Sequence, residues 1–198
     1  MLSAAEIVTL HDDLTTIWHH NPLHLAPAEP PFLEQVAQQH LANFELWHAE
    51  DEARTPKASD KTIAEVKRRI DHLNQLRNNR IEELDRSLLA YLVQRNLPSS
   101  AAPLNSETPG LIIDRLSILS LKLYHTREEA ERMDAPEGHA ERNQQRLAIL
   151  TEQRIDLANC LDELWQQTLA GTRRFKLYQQ LKMYNDPTLN PAIYNKHT

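Results

Sequence analysis

The sequence predicts an all-α protein, an antiparallel bundle of four long helices with short helices at both ends. Three observations carry that reading. The 198 residues include only three glycines, at 110, 138 and 171, too few and too scattered for the hairpins of a sheet protein or for a phosphate-cradling loop. Apolar residues recur at three- and four-residue intervals through five segments. Prolines gather between those segments rather than inside them, where they would break a helix.

The first helix is expected over residues 3–18, where Ile7, Leu10, Leu14 and Trp18 share a face and Ser3 caps the start with Glu6 three residues on. NPLHLAPAEPP, with its four prolines, is a surface connection until Pro31 opens a second helix from Phe32 to about Arg54. Ser59 or Asp60 caps a third, from Lys61 to about Asn96, whose spine is Ile63, Val66, Ile70, Leu73, Ile81, Leu84, Leu88 and Leu92. LPSSAAPLNSETPG is a linker, and Thr108-Pro109 caps and opens the fourth helix, to about Met133. After the turn DAPEGH a fifth helix runs from Ala140 to Leu169, stopped by Gly171. Residues 171–198 read as a short basic helix and a tail, with Arg173, Arg174, Lys176 and Lys182 among Phe175, Tyr178 and Tyr184. The whole chain, 1–198, is one domain: an N-terminal helix and connection to 31, a bundle core over 32–170, and this closing segment.

Composition narrows the function classes. Lys and Arg number 22 against 28 Asp and Glu, a net charge of -6, which argues against a general nucleic-acid binder. Single Cys160 can form neither an intramolecular disulfide nor a zinc site built on cysteine pairs, and fits a reducing cytoplasm. The first residues lack a basic leader, and no stretch approaches the roughly 20 apolar residues of a membrane span. The expected location is cytoplasmic.

Polar residues interrupt the helical pattern at three places. On the second helix His40, Phe44, Trp47, Asp51 and Arg54 fall in one stripe with Asn43 and Glu50 on its edge, while Ala42, Leu46, Ala49 and Ala53 make another side fit for burial. Either the stripe lines a site, or Phe44 and Trp47 pack and the charges are solvated. On the third helix Asn74, Arg77 and Asn78 stand where the spine calls for apolar residues. A buried arginine needs an acid, and Asp51, Glu50 or Asp114 can supply it. It then either sets helix register or holds a phosphate or carboxylate. On the fourth helix Asp114, Ser117, Leu121 and His125 share one face, Glu107 precedes the start, and Lys122 with His125 makes a weak anion clamp.

Known catalytic patterns are missing. A di-iron bundle needs two Glu-x-x-His pairs, and the only one is Glu45 to His48. The chain contains no His-Glu-x-x-His, no Walker loop and no Gly-x-Ser-x-Gly elbow. No cofactor and no metal-ligand set is named by the residues. A divalent metal enters only as an option on the carboxylates.

NFELWHAEDEAR (43–54), ASDKTIAEVKRRIDHLNQLRNNRIEELD (58–85), LNSETPGLIIDRLSILSLKLYH (104–125) and FKLYQQLKMYNDPTLNPAIY (175–194) together resemble the bacterial domain of unknown function family DUF4254. The resemblance covers nearly all of the chain. It implies an uncharacterised protein whose relatives often lie near genes for lipopolysaccharide or other envelope-glycan glycosyltransferases. Its motifs fall here on Asn43, His48, Glu50, Asp51, Arg54, Asn74, Arg77, Asn78, Glu107, Asp114, Arg115, Lys122 and His125, and it supplies no catalytic residue.

Three functions follow as expectations. The first is a ligand-binding or accessory protein of envelope-glycan synthesis that holds an anionic small molecule or sugar-phosphate through His40, Asn43, Glu50, Arg54, Asn74, Arg77, Asn78, Glu107, Arg115 and Lys122. The second is an enzyme using Asp51, Asp114 or Glu107 as acid or base with His48 or His125 nearby. The third is an adaptor that docks a glycosyltransferase through the basic closing helix. A homodimer is expected, because long helices with apolar residues on several sides need covering.

Overall fold

A computed structural model describes residues 2–21, 23–25, 29–179, 181 and 187–191. Among them are five helices: α1 (Ala4–His20), α2 (Pro31–Glu52), α3 (Asp60–Val93), α4 (Pro109–Glu131) and α5 (His139–Leu169). They form an all-α bundle. None is long and apolar enough to cross a membrane.

The helix ends follow local chemistry. Ser3 Oγ accepts from the Glu6 amide, Ser59 Oγ from Thr62 and Thr108 Oγ1 from Leu111, each satisfying a donor that the first turn leaves open. Gly171, at φ 72°, follows α5 in a left-handed conformation that a side chain would strain. The start of α4 needs a glycine for a different reason. Gly110 donates its N–H to Asp85 Oδ1 at 2.7 Å, and a Cβ there would lie 2.7 Å from the Ile81 carbonyl oxygen on α3.

Packing places α4 at the centre, against all four other helices, with its longest contacts along α5. α2 and α3 make the second long pair. Ala49, Leu46 and Ala53 of α2 pack on Val66, Ile70 and Leu73 of α3, the small-residue side the sequence marked for burial. The main core joins Leu84, Leu88 and Leu92 of α3 to Ile112, Ile113 and Leu116 of α4 and to Leu161 and Trp165 of α5.

One expectation is corrected. Residues 172–179 are not helical. Arg174 instead runs beside the α3–α4 linker, its N–H donating to the Pro103 carbonyl at 3.0 Å and its own carbonyl accepting from Asn105 at 2.7 Å. Phe175, only 1% exposed, is thereby pinned in the main core. A helix would break this backbone pairing and withdraw that ring. Lys182 and Tyr184 lie outside the described residues. α1, the short helix at the N-terminal end, lies against α4, α2 and α5 and buries Ala4, Ile7, His11, Thr15 and Trp18. Its inward stripe includes two polar residues, whereas Leu10 and Leu14 are only half-buried.

Candidate functional site

The polar interruptions of α2, α3 and α4 converge on Asp114. Its side chain is 4% exposed, and Oδ1 accepts from Gln39 Nε2 at 2.7 Å, Asn43 Nδ2 at 3.0 Å and Arg77 Nε at 2.7 Å. Arg77 closes a two-point fork through its second nitrogen on Oδ2. This is the geometry in which a guanidinium best compensates a buried carboxylate. That hydrogen bonding raises the Arg77 pKa further, so the guanidinium is charged at any ordinary pH. The fork ties α3 to α4 and so fixes the register of the two helices.

The network continues one turn up. Asn43 Nδ2 donates to Ser117 Oγ at 2.9 Å, and Ser117 Oγ lies 2.7 Å from His40 Nδ1. His40 Nε2 lies 2.9 Å from Thr15 Oγ1, and the His11 carbonyl also accepts from the ring. That orients Nε2–H toward α1 and leaves Nδ1 to accept from the serine. His11 stacks on His40 at 4.5 Å, and Trp18 stacks on His40 at 5.3 Å. Burial pulls the His40 pKa down to about 3, and burial with the neighbouring His40 and Arg154 holds His11 well below its ordinary value. Both rings are neutral packing elements at pH 7.

Along the same side, near the end of α1, lies a second group of imidazoles. His19 of α1, His48 of α2 and His125 of α4 each offer a nitrogen, and these atoms all lie within 4.8 Å of one another. His19 Nδ1–H donates to the Thr15 carbonyl at 2.7 Å, and His125 Nδ1 is 2.8 Å from Glu128 Oε2. Phe44, Tyr124 and Trp47 pack around them, Tyr124 stacked on His19 at 4.1 Å and Trp47 on His125 at 5.0 Å. Burial, with the charge of the other imidazoles, lowers the His19 and His48 pKa values.

The candidate residues therefore separate into two grooves flanking α4. One, of about 320 Å³, lies between α2, α3 and α4 and is lined by Asn43, Trp47, Glu50, Asp51, Arg54 and Arg77. Trp47 is shared with the imidazole cluster. The other, of about 620 Å³, lies between α4 and α5 and is lined by Glu107, Arg115 and Lys122 with Asp156 and Cys160. Arg115 is held by Glu107 at 2.8 Å. Asn74 Nδ2 donates to its own helix at Ile70, and Asn78 is half-buried on α3. A more apolar cavity of about 310 Å³, near the start of α1, contains none of the expected site residues.

Six participants were not singled out from sequence: Gln39, His11, Thr15, His19, Tyr124 and Glu128. For those on α1 a signal was present, since His11, Thr15 and Trp18 recur at helical spacing and His19 sits one residue past the stripe. Leu10 and Leu14 offered a more hydrophobic face and concealed it.

A family model described as a protein of unknown function, DUF4254, matches residues 33–177. No curated protein and no solved structure matches the chain.

Proposed function

We propose, from the premise that the chain belongs to the DUF4254 family, a cytoplasmic ligand-binding protein of bacterial envelope-glycan synthesis that holds a sugar or sugar-phosphate between α2, α3 and α4. The observation that carries the binding reading is the convergence of Trp47, Asp51 and Arg54 on one groove of about 320 Å³, a volume suited to a single sugar unit. An indole offers an apolar platform for the C–H face of a sugar, and a carboxylate accepts from its hydroxyls. The pathway rests on the family resemblance alone.

Arg54 is the group best placed to take a phosphate. Among the described residues its one ion pair is with Glu50, one turn away, and the two side chains are 69% and 42% exposed. Such a pair is worth a few tenths of a kcal/mol, so exchanging Glu50 for a phosphate costs little. Arg77 cannot make the same exchange, because releasing it strands buried Asp114.

The test is titration of the protein's tryptophan fluorescence with hexose 1-phosphates and nucleoside-diphosphate hexoses. Trp18 and Trp165 are buried and Trp47 is half-buried at the groove, so binding should quench mainly Trp47. Arg54→Ala should weaken sugar-phosphate binding about tenfold, or about 1.4 kcal/mol, and leave a neutral sugar unchanged. Identical affinities for wild type, Arg54→Ala and Trp47→Ala, or no response to any of these probes, defeat the reading.

An enzymatic alternative is favoured by one feature, the charge of Asp51 acting on His48 three residues before it on α2. The adaptor alternative rested on a basic closing helix, and the described residues 172–179 do not form one.

A further inference from the structure

We propose that His19, His48 and His125 form a binding site for one divalent transition-metal ion of the zinc class. The inference is independent of what occupies the neighbouring groove.

Spacing is the first argument. In a tetrahedral site with metal–nitrogen bonds of about 2.0–2.1 Å, three imidazole centroids stand roughly 5.3 Å apart and their ligating nitrogens roughly 3.3 Å apart. Here the centroids are 4.9, 5.2 and 5.7 Å apart, and the rings lie at 74°, 72° and 86° to one another. The nitrogens, all within 4.8 Å, reach bonding distance by turning about χ2, a soft torsion for histidine.

The free valences are the second. His19 Nε2 and His125 Nε2 are both buried from solvent with no hydrogen-bond partner. Leaving such an atom unsatisfied is costly, and one cluster holds two of them. In each ring the other nitrogen faces an acceptor, the Thr15 carbonyl for His19 and the Glu128 carboxylate for His125. That fixes the tautomer with Nε2 as the lone-pair nitrogen, the arrangement that orients a ligating histidine and strengthens it as a base. Tyr124 also hydrogen-bonds Glu128, so the carboxylate that steadies His125 is itself anchored.

Charge and surroundings are the third. Phe44, Tyr124 and Trp47 pack against the rings and limit how far they can turn. Three neutral nitrogens leave the ion its full charge and a fourth position for water or another ligand, and borderline-soft imidazole selects zinc, cobalt, nickel or copper over magnesium or calcium.

The experiment uses the full chain without a histidine tag, stripped with a chelator and titrated with Co²⁺ and with Zn²⁺ against a competing chelator. We expect one ion per chain, the intense visible bands of four-coordinate cobalt, and a zinc Kd in the micromolar range or tighter. His19→Ala, His48→Ala and His125→Ala should each weaken zinc at least 100-fold, and Glu128→Gln about 10- to 100-fold. Arg54→Ala should leave zinc binding unchanged, which separates this site from the sugar groove. Six-coordinate cobalt spectra, millimolar affinity, or binding that survives all three histidine substitutions overturns the proposal. If His19→Ala or His125→Ala fails to fold, His48→Ala and the cobalt spectrum of the unaltered chain decide it.

Discussion

Asp114 and Gly110, four residues apart on α4, carry the tightest constraints on the fold, one electrostatic and the other steric. Asp114 is buried with three donors on one oxygen and a guanidinium fork across both. Removing one member of a buried pair leaves an uncompensated charge, so Arg77→Leu should cost about 3–5 kcal/mol by urea denaturation. Replacing both partners by apolar residues should cost much less, because no charge is then stranded. At Gly110 the added methyl of Gly110→Ala would meet backbone 2.7 Å away and Asp85 Oδ1 at 2.8 Å, too close for either to accept. That substitution should destabilise by about 1–3 kcal/mol or more, read as a lower melting temperature.

The docking of α1 on α2 depends on neutral imidazoles, which makes it sensitive to acid. His40, with a folded pKa of about 3 against 6.5 unfolded, contributes stability that is complete above pH 6.5 and lost as pH falls toward 3. His11 acts in the same direction, with Arg154 adding to the repulsion. Asp85 acts oppositely. Burial raises its pKa to about 6 from 3.8, so its contribution is complete below 3.8 and lost as pH rises through 6. Each titrating group changes stability by about 1.4 kcal/mol per pH unit, and two histidines outweigh one carboxyl. Stability should therefore fall between pH 6 and pH 4, with amide exchange in α1 accelerating first. His40→Gln should flatten that fall, and a stability that rises on acidification would contradict it.

At the level of the whole molecule, α4 is the common neighbour of every other helix and separates the two polar grooves. Substitutions in one should not be felt in the other. Lys122→Ala or Arg115→Ala, in the α4–α5 groove, should leave binding in the α2–α3–α4 groove within about twofold of wild type, or about 0.4 kcal/mol, in the same fluorescence titration. A coupled loss would mean that the two grooves bind one extended ligand.

What the sequence determined by itself was the all-α class and the helix limits, because these depend on local rules. Ser3, Ser59 and Thr108 cap where their side chains can reach an amide within a turn, and the proline clusters prevent continuation. The sequence also showed that Asn43, Arg77 and Asp114 do not belong to a simple apolar stripe, since helical periodicity alone marks them. Only the tertiary structure decided what those interruptions do. Partner choice depends on helix register, and a residue on α2 reaches Asp114 across 71 positions of sequence. The same reason accounts for the missed His19, whose neighbours His48 and His125 come from other helices, and for residues 172–179, where pairing with the α3–α4 linker overrode local helical preference.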